Sequence, residues 1–164
     1  MTQREGEVNP LSGRHETEAE RIDRNVGELL QELRVAGLGI QVLFGFLLAM
    51  PFTNVFSTLD PEQHRLYVGV LVLAALATAL LTAPVAYHRI VFRRHQKHDL
   101  LRFANAVALA GLCVVALAIS GAVLLVVSVA YDGLVAAIIA AIVAGVYFAL
   151  WYVVPHLGHR DTDY

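Results

Sequence analysis

The sequence predicts an all-α integral membrane protein: a four-helix antiparallel bundle with an N-terminal cytoplasmic amphipathic helix. Three observations carry this reading. Four apolar runs, 35–56, 66–87, 103–130 and 134–154, contain no Asp, Glu, Lys, Arg or His. Each is as long as the roughly 20 residues that cross a bilayer, and inside lipid only a helix satisfies its own backbone over such a length. The composition agrees, with 57% hydrophobic and 16% charged residues, against about 25% charged in an ordinary soluble domain. Finally, the cations are segregated. Arg21, Arg24 and Arg34 flank the first run, Arg89, Arg93, Arg94, Lys97 and Arg102 fill the connector after the second, and Arg160 follows the fourth. Arg65 alone falls on the other side. By the positive-inside rule both termini and the basic connector are cytoplasmic.

Residues 1–16 hold Gly6, Pro10 and Gly13 among scattered charges, without an apolar period, and are expected to be disordered. No cleavable signal peptide is expected there, so the first span directs insertion. Residues 17–34 are different. Thr17 and Glu20 have capping-box spacing, and Ile22, Val26, Leu29, Leu30 and Leu33 recur at helical intervals. The segment reads as an amphipathic helix that lies on the membrane or runs straight into the first span, with Gly27 weakening it.

In the first span, Gly37, Gly39, Gly45 and Ala49 offer small-residue faces, and Pro51 ends or kinks the helix. Gln41 is its deepest strongly polar group. Asp60, Pro61 and Gln63 form a helix-start signal: an N-cap, a proline at the first helical position and a capping-box amide. Ala75, Ala79 and Ala83, with Ala74, Thr78, Thr82 and Ala86 beside them, predict two packing stripes in the second span. The hydroxyls of Thr78 and Thr82 are expected to bond back to their own helix. Pro84 predicts a kink. The third span opens near Asn105, and Tyr131, Asp132 and Gly133 turn it tightly into the fourth. There Ala137, Ala141, Gly145 and Ala149 make the clearest small-residue stripe of the chain, Trp151 and Tyr152 form an aromatic belt, and Pro155 opens the polar tail 155–164.

Function is bounded more by what is missing. No phosphate loop, nucleophile–base motif or zinc-protease motif occurs, Cys113 lies inside a span, and no enzyme activity is expected. The pairs His95/His98 and His156/His159 have ligand-like spacing. However, Arg93, Arg94 and Lys97 repel a cation from the first, and Gly158 disfavours a helix at the second. No metal or other cofactor is assigned. No basic domain exists to hold nucleic acid. Ion-coupled transport calls for an ionisable group within the membrane. The polar candidates here are Gln41, Thr82 and Asn105, with His88 at the boundary. The five connector cations, Arg89, Arg93, Arg94, Lys97 and Arg102, are candidates for docking anionic lipid or the acidic residues of 17–34. The expected partners are the bilayer, anionic lipids, and a second copy or another membrane protein.

ETEAERIDRNVGELLQELRVAGLGIQVLFGFLLAMPF, ALATALLTAPVAYHRIVFR and LLRFANAVALAG resemble segments of a family of small uncharacterised membrane proteins, over about residues 17–154. That family is typical of actinobacteria and often carries an automatic label of sodium/proton antiporter. The resemblance implies a four-span fold and, through the label, cation/proton exchange. It assigns no catalytic residue. The reading from the residues themselves is a small non-enzymatic accessory or scaffold protein acting through its cytoplasmic face.

Overall fold

The computed structural model describes residues 18–91 and 97–154, with side chains at 21, 24, 27–87 and 104–154. Every regular element among them is helical: α1 (Glu18–Ala49), α2 (Pro61–Val91), α3 (Lys97–Ala130) and α4 (Gly133–Phe148), the last continued by a wider π-type turn over Ala149–Val153. Each is long and apolar enough to cross a membrane, over Gly27–Phe52, Pro61–Tyr87, Ala104–Ala130 and Gly133–Val153. Their outer surfaces are what lipid solvates and water does not. Phe46 is 73% exposed, Phe52 90% and Leu134 74%, within a continuous apolar coat far beyond the patches a soluble monomer tolerates.

The amphipathic segment is not a separate helix. α1 runs without a break through Gly27 and Arg34 into the first span. No proline interrupts residues 18–49, so each amide reaches the carbonyl four residues back. Of its apolar stripe, Leu33 is buried and Leu29 packs on the same core, while the side chains of Ile22 and Val26 lie outside the described residues. The helix stops where Pro51 stands, in a short 3-10 turn (Met50–Phe52). A second such turn (Phe56–Thr58) leads to α2. Pro84, fully buried, lies inside α2, and the helix continues through it.

The packing period is 3.5 residues. In α2 the buried positions are Tyr67, Val70, Ala74, Ala77, Leu81 and Pro84, in alternating steps of three and four. In α3 the buried positions on this register are Ala104, Ala108, Gly111, Ala118 and Leu125, with Val115 and Ala122 half-buried between them and Ser120 buried outside it. That spacing defines a left-handed, coiled-coil-like seam. It differs from the four-residue stripes read in the sequence. Ala75 and Ala79 are exposed, and so are Ala137, Ala141, Gly145 and Ala149, while the buried residues of α4 are Ala136 and Ala140.

α2 is the centre. It packs antiparallel on α1 and on α3, and α1 also touches α3. Among the described residues, α4 packs on α3 alone, so the four helices do not close into a ring. Lipid solvates Leu, Ile and Val side chains about as well as another helix does, so apolarity alone gives α4 no drive to reach α1.

Gln63 holds the α2–α3 pair at one end. Its Oε1 accepts the Asp60 amide (3.0 Å), and its own amide donates to Asp60 Oδ1 (2.8 Å). This is the capping box expected from the sequence. Its Nε2 then donates to the Ser128 carbonyl (2.8 Å), in the last turn of α3, where carbonyls lack an intrahelical amide. One side chain thus closes two helix ends. Gln63→Ala is expected to cost about 2 kcal/mol, the sum of a lost cap and a lost hydrogen bond. Gln63→Glu keeps the acceptor but loses the donor, and should cost about half as much in detergent unfolding. Equal losses for the two variants would reject the double role.

Candidate functional site

One groove gathers polar side chains at membrane depth. It lies between α1 and α2 and has a volume of about 430 Å³. Leu33, Arg34, Gly37, Leu38 and Gln41 form one wall, and Leu81, Thr82, Val85 and Ala86 the other. The local reason is the helix period. Arg34 and Gln41 are seven residues apart, two turns, and share one face of α1 with Gly37 and Leu38. Leu33 and Leu81, both buried, form the floor. A Cβ built on Gly37 would meet nothing within 4 Å, so the missing side chain leaves the groove open there.

Two of the polar residues expected from the sequence, Gln41 and Thr82, line this groove. They do not meet. No hydrogen bond joins them among the described residues. The Thr82 hydroxyl donates to its own helix, with the Thr78 carbonyl at 2.8 Å and the Ala79 carbonyl at 3.1 Å. Thr78 does the same toward Ala74 (2.9 Å). Among the described residues the Gln41 amide has no hydrogen-bond partner. Asn105 is exposed on α3 and does not line the groove.

His88 and Arg89 lie on the backbone of α2, and Lys97, His98 and Arg102 on that of α3, with side chains outside the described residues. Arg93, Arg94, His95, His156 and His159 lie outside them altogether. Among the described residues no three His, Cys, Asp or Glu side chains come together as metal ligands.

Arg34 gains most from the structure. In the sequence it is one topology-setting cation among nine. In the fold it stands at the groove, exposed, and donates to Oε1 of Gln31 (2.8 Å), a neutral partner on its own helix. Among the described residues no carboxylate pairs with it. The other described arginines of known pairing differ: Arg24 meets Glu28 at 3.9 Å, and Arg65 meets Glu62.

Two further features lie between α3 and α4. Cys113 is a free thiol whose sulfur meets the Tyr152 hydroxyl. Ser120, two turns further along the same face of α3, is buried, and its hydroxyl has no hydrogen-bond partner among the described residues. At the end of α4, Tyr147 packs edge-on to Trp151 (ring centroids 5.0 Å apart), and Phe148 stacks on Tyr152 (5.4 Å). The aromatic belt is therefore a packed cluster on the π-type turn.

No curated protein and no solved structure matches the chain. A family model does, over residues 15–155, nearly the range of the resemblance read in the sequence. The helices and the groove all fall within that match, and the chain belongs to the family described as a family of unknown function (DUF6328).

Proposed function

We propose that the chain is a small non-enzymatic membrane protein, an accessory or scaffold component that associates with another protein in the plane of the membrane. Its termini and the basic connector would occupy the cytoplasmic face of a bacterial plasma membrane. The observation that carries the reading is the outward stripe on α4. Ala137, Ala141, Gly145 and Ala149 are all exposed, on a helix that, among the described residues, packs on α3 alone. Small residues at four-residue spacing let a second helix approach closely, which is how helices associate where apolar burial gives little drive.

The test is photo-crosslinking in native membranes, with a photoreactive residue at Ala141 and, as control, at Ile142, 61% exposed. A single defined partner captured from Ala141 and not from Ile142 is the expected result. Capture of lipid or of a second copy alone would count against the accessory role.

Cation/proton exchange is the second reading. It is favoured by the Gln41 amide, without a hydrogen-bond partner among the described residues in a groove at membrane depth, and by the label attached to the family the sequence resembles. Sodium-dependent proton flux in vesicles of purified protein, abolished by Gln41→Ala or Asn105→Ala, would replace the accessory reading. Its absence under a sodium gradient leaves exchange without support.

A further inference from the structure

We propose that the groove between α1 and α2 binds one anionic phospholipid, its phosphate held by Arg34 and an acyl chain lying along Gly37 and Leu38. The proposal rests on reading the four helices as membrane spans and is independent of the accessory role.

Depth places the phosphate. Tyr152 of α4 meets Cys113 of α3. Two residues back along α3, a Cβ on Gly111 would lie 2.9 Å from Leu81 of α2. Leu81 forms the groove floor with Leu33, next to Arg34. Read across the four helices, Arg34 stands within about a turn of the Trp151–Tyr152 cluster. Aromatic rings of this kind sit at the level of the lipid headgroups. The guanidinium therefore reaches the headgroup region while its stem lies against the groove, the usual arrangement for an arginine near a helix end in lipid.

Chemistry selects the ligand. Apart from Gln41 and the back-bonded Thr82, the groove walls beside Arg34 are apolar, and the space over Gly37 is open, so hydrocarbon fills it better than water does. Among the described residues Arg34 meets a neutral partner and no carboxylate, which leaves its charge to an outside anion, and the planar fork suits a phosphate. The charge of the surroundings favours a net anionic lipid over a zwitterionic one. α2, which forms the second wall, leads directly into the connector bearing Arg89, Arg93, Arg94, Lys97 and Arg102.

The experiment is native mass spectrometry of the full chain in detergent, titrated with dioleoylphosphatidylglycerol, dioleoylphosphatidylcholine or glycerol 3-phosphate. One phosphatidylglycerol should be retained at concentrations about fivefold or more below those needed for phosphatidylcholine, and glycerol 3-phosphate should neither bind nor compete. Arg34→Gln should erase the preference, and Arg34→Lys should keep part of it. Gly37→Leu should weaken both lipids with the charge intact. Val85→Trp fills the same groove from the other wall and should do likewise if Gly37→Leu fails to fold. Equal retention of the two lipids would overturn the proposal, as would displacement by glycerol 3-phosphate. Preference unchanged in Arg34→Gln but lost in Arg93→Gln/Arg94→Gln would place the lipid on the connector and overturn it too. Because no partner protein enters the assay, failure here leaves the crosslinking result untouched.

Discussion

Gly121→Ala is expected to destabilise the folded chain by about 1–3 kcal/mol, the usual range for overpacking a filled core. A Cβ at Gly121 would lie 2.7 Å from Cγ2 of Val70, well inside van der Waals contact. Val70 cannot give way. It is 1% exposed, and a β-branched side chain in a helix has essentially one rotamer. The methyl group must then push α3 away from α2, the central interface of the fold. Intrinsic propensity works in the other direction, since alanine in a helix gains roughly 0.5–1 kcal/mol over glycine. The controls use that opposition. At Gly45 and Gly69 an added Cβ meets nothing within 4 Å, so Gly45→Ala and Gly69→Ala should be neutral or slightly stabilising. Gly111→Ala should fall between, because its nearest neighbour is the terminal Cδ2 of Leu81 at 2.9 Å, the far end of a more flexible side chain. Detergent-induced unfolding of the four variants orders them. Adding Val70→Ala to Gly121→Ala should recover part of the loss, because the opposing methyl is gone. Equal stability of Gly121→Ala and Gly69→Ala would reject the close approach.

Much of this architecture is legible in the residues, and the remainder is hidden for identifiable reasons. Charge-free apolar runs announce the four spans, and Asp60 and Gln63 announce the start of α2, because both signals are local. Threonine back-bonding at Thr78 and Thr82 is local as well. Seam positions are not. Small residues repeat at four in α2 and α4, yet the seam repeats at 3.5 and includes Leu81, Val70 and Tyr67. In α4 the difference between Ala136–Ala140 and Ala137–Ala141 is one residue, a rotation of about 100°, which decides whether a face meets α3 or the outside. Nothing in an all-apolar helix marks that rotation, because the polar face that would reveal it is absent. The amphipathic segment presents the opposite case. Its stripe was plain, but whether it packed on lipid or on α2 depended on the chain passing residue 34 without a break. At the groove, Gln41 and Thr82 stood out in the sequence as polar groups in apolar runs. Arg34 and Gly37 did not, since their role comes from what α2 places opposite them.

Tyr67→Phe should cost about 1–3 kcal/mol, and that cost should shrink when Pro51 is replaced by alanine. One hydrogen is missing at the end of α1. In α1 the Leu47 carbonyl would take the amide of residue 51, but residue 51 is proline and has none. At membrane depth no water replaces it, and an unsatisfied carbonyl there costs several kcal/mol. The Tyr67 hydroxyl, from α2, donates to this oxygen at 3.0 Å. Tyr67 is 5% exposed, held edge-on against Phe56 (ring centroids 5.1 Å apart), which in turn packs edge-on to His64 (4.7 Å). The ring is thus fixed by the turn that follows Pro51, and its hydroxyl points at the defect that proline creates. Phenylalanine keeps the ring and its packing, so the loss isolates the hydrogen bond. In a Pro51→Ala background the alanine amide can supply the Leu47 carbonyl, and Tyr67→Phe should then cost under about 1 kcal/mol. The double-mutant cycle, read by thermal or detergent unfolding, should return a coupling of roughly 1–2 kcal/mol between residues 51 and 67. Additive losses would mean that the Leu47 carbonyl finds no donor in Pro51→Ala, or that the Tyr67 hydroxyl contributes elsewhere, and either outcome would sink the account. Pro51 thus ends α1 and also leaves an acceptor on it, and that acceptor is met by α2, the helix that forms the second wall of the groove.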